Sequence, residues 1–236
     1  MAYTFTYADV LNFIRQAVPS TTEDQKAAML CNIATDFIWD AFDWRETIEE
    51  FPPFWLYAYG QDYGAPTVAV PSDFLGLREA WLTDMSSTPP AKWPMKIMRF
   101  LLPTHALQLP SDIAYEPSVN AFRLWPRVPS GLGPARFKID GTYKKKPTLL
   151  TAGNYLSTTL PFDDKYFPVW VEVMKWAAWN SSSDPRSVDQ LNKAVAAVRK
   201  MASDEGFNLG DTVLAPSQPL SAGSGIWGNR NWFLGY

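Results

Sequence analysis

Two residues set the outer limit of the chemistry open to this chain: its one histidine, His105, and its one cysteine, Cys31. Acyl transfer by a Ser–His–Asp set needs a positioned serine and an acid beside the imidazole. His105 stands between Pro103 and Pro110, and no nucleophile-elbow pattern accompanies it. A histidine in such a strand or turn reads as structural. Structural and catalytic zinc sites need several Cys or His ligands at fixed spacing, and one of each does not meet that requirement. Cys31 falls within an apolar helical stripe, which hides the thiol and argues against a nucleophile.

The remaining candidates are short charged or glycine-containing runs. Gly131-Leu132-Gly133 lacks the strand-to-helix setting of a phosphate-binding loop. The acidic pairs Glu49-Glu50 and Asp163-Asp164 raise glycosidase chemistry, which uses two carboxylates. Asp163-Asp164 precedes a helical pattern, where carboxylates favour the positive end of the helix. Glu49-Glu50 follows one and reads as a solvated turn. The run Lys144-Lys145-Lys146 closes a strand-like segment before Pro147. It reads first as protection of a sheet edge, and second as a contact for DNA or an acidic partner. With no complete catalytic set, the chain is expected not to be an enzyme and to hold no cofactor or metal.

Composition points the same way. Charged residues make up 19% of the 236 positions, and aromatics 15%, with 11 Trp. Ordinary domains carry about 25% charge. Bulky aromatics concentrate in cores and at protein contacts. The net charge of −3 excludes a surface built to coat DNA. One cysteine excludes a disulfide framework and suits a reducing compartment. No signal peptide is expected at the start, and no run approaches the ~18 apolar residues of a membrane helix.

The elements that position these residues fall in three blocks. Thr6 with Asp9 caps a first helix carrying Val10, Phe13, Ile14, Ala17 and Val18, stopped by Pro19. Thr22 with Gln25 opens a second, striped by Met29, Leu30, Ile33, Ala34, Phe37, Ile38, Ala41 and Phe42. Prolines then recur from Pro52 to Pro147. Short strand-like runs lie between them at 67–70, 77–83, 95–101, 112–116, 119–125 and 135–144, with Asp140-Gly141 placed to bend the last. Helices return after Pro161, one with Pro168 in its first turn and one opened by Asp184-Pro185 and closed by Gly206. The expectation is an α+β fold: a helical bundle from 1–50 and 160–205, an inserted small β domain at 51–159, and an extended C-terminal tail at 206–236. That tail has two charged side chains, Asp211 and Arg230, yet ends on Ile226, Trp227, Trp232, Phe233, Leu234 and Tyr236.

The order of motifs carries a resemblance. Val70-Pro71-Ser72-Asp73-Phe74-Leu75 leads into Leu77-Arg78-Glu79-Ala80-Trp81-Leu82. Ala121-Phe122-Arg123-Leu124-Trp125-Pro126 follows, then Gly141-Thr142-Tyr143-Lys144-Lys145-Lys146-Pro147-Thr148-Leu149. Leu160-Pro161-Phe162-Asp163-Asp164-Lys165-Tyr166-Phe167 introduces the last helices. Over about residues 5–205 this resembles the head–tail adaptor (connector) proteins of tailed bacteriophages. The stretch 83–111 and the aromatic C-terminus do not follow the family pattern.

The resemblance implies a structural virion protein at the head–tail junction, made in the host cytoplasm. It implies a ring of identical subunits, twelve by the family pattern, under the portal vertex, continuing the DNA channel toward the tail. The implied partners are further copies of itself, the portal protein, a further neck or tail protein, and DNA that passes without specific binding; no membrane is involved. Adaptor termini reach into the portal, so Ile226, Trp227, Trp232, Phe233, Leu234 and Tyr236 become the expected portal-docking residues. Two alternatives stay open: a stopper or tail-terminator neck protein, and a carbohydrate- or cell-wall-binding module whose Trp residues stack on sugars.

Overall fold

Thr6 opens the first helix as its sequence demands. In the computed structural model, which describes residues 4–15, 17, 24–56, 70–98, 108–118, 120–126 and 136–207, α1 spans Tyr7–Ile14. The Thr6 hydroxyl accepts the Asp9 N–H, and the Asp9 carboxylate takes the Thr6 N–H at 2.8 Å. Its buried stripe is Tyr7, Val10, Leu11 and Ile14, and Ala17 is exposed beyond it. The next helix, α2 (Asp24–Ala41), buries Leu30, Cys31, Ala34, Phe37 and Ile38, while Met29 is exposed. Its expected opening at Thr22 and Gly131-Leu132-Gly133 lie outside the described residues.

Among the described residues seven strands follow: β1 (Ile48–Trp55), β2 (Phe74–Asp84), β3 (Ala91–Pro94), β4 (Lys96–Met98), β5 (Asp112–Glu116), β6 (Ala121–Trp125) and β7 (Phe137–Lys145). They form one sheet in the order β1-β7-β2-β3 and another in the order β4-β5-β6. All pairs are antiparallel except β4 with β5. Two helices close the described chain, α3 (Phe167–Ser181) and α4 (Ser187–Asp204). Pro168 sits in the first turn of α3, where its missing N–H costs nothing.

The described residues form an α+β fold with four helices and two sheets, which corrects the expected helical bundle carrying a small β domain. In a bundle each helix packs beside two neighbours. Here α3 is the common partner of α1, α2 and α4. The strands form two sheets around a core of their own, built on Phe51, Phe54, Phe74, Phe122 and Ile139. The chain divides into two compact units: one of Met1–Glu46 with Pro147–Tyr236, the other of Thr47–Lys146. These divisions fall earlier than 50/51 and 159/160 for two physical reasons. Glu49 and Glu50 belong to β1. Residues beyond Pro147 fold onto α2, where the Asn32 side chain accepts the Leu150 N–H at 2.9 Å and donates to the Leu150 carbonyl at 2.8 Å.

Prolines hid β1 from the sequence reading. Pro52 and Pro53 sit on an edge strand, and the register to β7 slips between Phe51 and Phe54 at that point. An edge strand tolerates proline because its outer N–H groups need no partner. The expected run 95–101 is divided, with Met95 lying between β3 and β4. The bulge expected at Asp140-Gly141 lies instead on the facing strand, between Leu77 and Glu79. Gly141 is required there: a Cβ on it would lie 2.1 Å from the Glu79 carbonyl oxygen and 2.8 Å from the Phe51 ring. Gly76, in the same sheet, has nothing within 4 Å of its own missing Cβ. Gly141→Ala is therefore expected to destabilise the fold by roughly 1–3 kcal/mol through overpacking. Gly76→Ala is expected to stay within about 0.5 kcal/mol of the parent. Urea unfolding of the two variants side by side checks the contrast.

Candidate interaction surfaces and the joints that hold them

The residues quoted for the resemblance turn out to close joints of the fold. In the β unit, Asp73 stands just before β2 and Tyr143 near the end of β7. The Tyr143 hydroxyl donates to Asp73 Oδ1 at 2.9 Å, the Lys146 N–H donates to the Asp73 carbonyl, and the Phe74 and Tyr143 rings stack at 5.6 Å. Burial pushes the Tyr143 hydroxyl well above the ordinary tyrosine range, and the Asp73 carboxylate pushes it further. Two motifs 70 residues apart thus form one contact.

The lysine run belongs to the same joint. Since β7 lies between β1 and β2, Lys144-Lys145-Lys146 does not guard a sheet edge, which corrects that reading. Lys144 is only 4% exposed. Lys145 pairs with Glu49 at 3.4 Å across to β1. Only Lys146 is exposed. As a contact for DNA or a partner, the run offers one exposed side chain, Lys146, and two that the sheet already uses.

The Pro161-to-Tyr166 motif makes the second joint, within the helical unit. Asp163 caps a short turn, Asp164–Tyr166, by accepting the Lys165 N–H at 3.1 Å. Asp164 reaches the other way. Its carboxylate accepts the Thr4 N–H at 3.0 Å, the Phe5 N–H at 3.2 Å and the Thr4 hydroxyl. Tyr166 donates its hydroxyl to Glu205, and Lys165 pairs with the same carboxylate at 3.1 Å. Three consecutive residues, Asp164, Lys165 and Tyr166, therefore clasp both ends of the described chain. The bonds from Thr4 hold Asp164 below the usual carboxylate range. The Tyr166 and Lys165 bonds do the same for Glu205.

The clasp fixes where the C-terminal segment departs. Gly206 ends α4 with φ +83, the left-handed backbone that glycine adopts freely. The Phe207 N–H returns to the Ala202 carbonyl at 2.9 Å and the Gly206 N–H to Ser203, a helix-closing arrangement of the Schellman type. Phe207 then packs on Phe42 and Trp44, with ring centroids at 5.3 and 5.4 Å. The expected docking residues Ile226, Trp227, Trp232, Phe233, Leu234 and Tyr236 lie outside the described residues, as does His105.

Trp39, Trp170 and Trp176 are buried in the helical core. Trp93, on the edge strand β3, is 45% exposed. Cys31 is buried, and that burial pushes its thiol up to about 12. Among the described residues no group of three or more His, Cys, Asp or Glu side chains is placed to hold a metal ion. No described helix is long and apolar enough to cross a membrane.

One exposed aromatic was missed by sequence. Phe13, assigned to the buried stripe of α1, is 63% exposed. It touches Phe167 at 6.1 Å, and Phe167 touches the part-exposed Phe5 at 4.5 Å. A signal was available. Tyr7, Val10, Leu11 and Ile14 already complete a helical stripe, and Phe13 falls roughly a third of a turn away from its centre.

No protein-family model matches this chain, and no curated protein matches it.

The clasp carries a pH dependence whose sign follows from its carboxylates. Asp164 and Glu205 have folded values below their unfolded ones, so their stabilisation is present above the unfolded range and fades as pH falls through about 4 and below. The double variant Asp164→Asn, Glu205→Gln is expected to lose less stability than the parent between pH 6 and pH 3. Urea midpoints across that range measure it; parallel curves would mean that the clasp is electrostatically idle.

Proposed function

We propose that this chain is a structural virion subunit that forms a ring joining the portal vertex to the tail and continuing the DNA channel. The observation that carries the reading is the position of the motif residues. Asp73 with Tyr143, and Asp164-Lys165-Tyr166 with Thr4 and Glu205, each close a joint between distant parts of the chain. A motif shared because it shapes a subunit does this, and a motif shared for chemistry points its polar atoms at a substrate.

Surface chemistry adds support. Phe5, Phe13 and Phe167 form an outward aromatic group, the kind of side chain that anchors protein contacts. The mild net charge of −3 suits a wall past which DNA moves, since retention grows with each phosphate contact. In this reading the aromatic C-terminal residues enter the portal, and the folded units meet their neighbours head to tail, which closes a ring by rotation.

The test is assembly. Light scattering of the purified chain is expected to give a monomer alone and a ring of copies once portal rings are added. Deleting residues 208–236 is expected to weaken portal binding at least tenfold, as loss of anchoring aromatics does. A tight isolated dimer that ignores the portal would overturn the proposal.

A further inference from the structure

The four-stranded sheet has a second face, turned away from the core of Phe51, Phe54 and Ile139. Register places its residues in rows. Trp55 of β1 stands opposite Lys138 of β7, which stands opposite Thr83 of β2 and then Lys92 of β3. In the next row Asp140 faces Trp81, and in the one after it Glu50 and Glu79 flank Thr142. Alternation along a strand puts these side chains on one side, and Phe54, Leu82 and Ile139 on the other. Burial agrees. The second set is buried, while Trp55, Trp81, Lys138, Asp140 and Thr142 are part-exposed and Lys92, Glu50 and Glu79 are exposed. A carbohydrate-binding module turns on whether its tryptophans share one sheet face, and Trp55 and Trp81 do.

The polar groups of this face hold one another. Asp140 takes the Lys92 ammonium at 2.7 Å, the Lys138 ammonium at 3.6 Å and the Thr83 hydroxyl at 3.2 Å. The Lys92 ammonium lies 5.2 Å from the centre of the Trp81 ring. Side chains fixed in this way, on strands, lose little freedom when a ligand arrives. Charge decides against two classes of ligand. Two lysines stand among three carboxylates in these rows, so a nucleic acid, whose binding grows with each lysine or arginine on a phosphate, is not matched. A protein partner is not matched either, because the centre of a protein contact is depleted of Lys, Glu and Asp.

We propose that this face binds a neutral oligosaccharide. Each sugar hydroxyl both donates and accepts. The face answers with ammonium donors at Lys92 and Lys138 and acceptor-only carboxylates at Glu50, Glu79 and Asp140. Trp55 and Trp81 add flat apolar surface beside them, on which the C–H face of a sugar ring stacks. The two lie two strands apart and one row along, roughly 12 Å between Cα positions, which spans more than one sugar ring. The inference goes beyond the ring-subunit reading and does not rest on it: a ring subunit can carry such a face, and so can a free module.

Retention of the purified full-length chain on immobilised oligosaccharides tests this. Cellohexaose, chitohexaose and maltohexaose serve as neutral chains; a heparin hexasaccharide and a single-stranded oligodeoxynucleotide serve as charged ones. The expected result is retention on at least one neutral chain, and none on the charged probes. Trp81→Ala and Trp55→Ala are each expected to weaken that retention at least fivefold. Trp93→Ala, opposite Leu82 on the other side of the sheet, is expected to leave it within twofold. Thermal melts establish that each variant is folded; should a tryptophan variant unfold, Glu79→Ala, at an exposed position, carries the same fivefold expectation. Retention on no neutral chain, stronger retention on the charged probes, or undiminished retention in the folded variants overturns the proposal.

Discussion

Burial of α3 is the constraint on which the helical unit depends. Trp170 is fully enclosed, with Val173, Met174 and Ala177 beside it. Its ring meets Tyr7 of α1 edge-on at 5.4 Å and Phe162 at 6.2 Å. Because α1, α2 and α4 all pack on this helix, their positions follow from its side chains. Removing one large core aromatic costs about 3–5 kcal/mol, a large share of the roughly 5–15 kcal/mol that holds a domain folded. The polar joints are smaller terms. They choose where the two ends of the described chain lie, while the apolar core decides whether the unit folds.

The sequence was most legible where local chemistry settles local structure. Thr6 with Asp9, Pro168 and Gly206 each did what their side chains or backbone require. The helices expected after Pro161 are present as α3 and α4. Legibility failed where a partner distant in sequence decides. Nothing local says that Pro52-Pro53 lies on an edge strand, that Lys144 is in a central one, or that Leu150 is held by Asn32. The α4 start shows the same limit on a smaller scale. Asp184 accepts the Arg186 N–H at 2.9 Å and forms a turn, so the helix begins at Ser187.

For the candidate site, the motif order pointed to the residues that matter without saying how. Asp73 and Tyr143 were quoted as parts of two separate motifs, and their hydrogen bond is visible only once β2 and β7 are paired. Asp163-Asp164 looked like a paired carboxylate. The two oxygens sets point opposite ways, one capping its own turn and one holding the N-terminal residues. The aromatic face stayed hidden for a different reason. Periodicity reports which helix positions can be buried, and Phe13 belongs to a helix of only 8 residues, too short for the stripe to identify itself.

The closure of α4 has a mechanical meaning. A pull on the C-terminal segment acts first on Phe207, wedged between Phe42 and Trp44, and not on the helix ladder. Glu205 shares that load with Tyr166 and Lys165, and Asp164 hands it to the first described residues of the chain. Tension entering at Phe207 is thus delivered to the first described residues through Asp164, Lys165 and Tyr166, three consecutive side chains at the margin of the core.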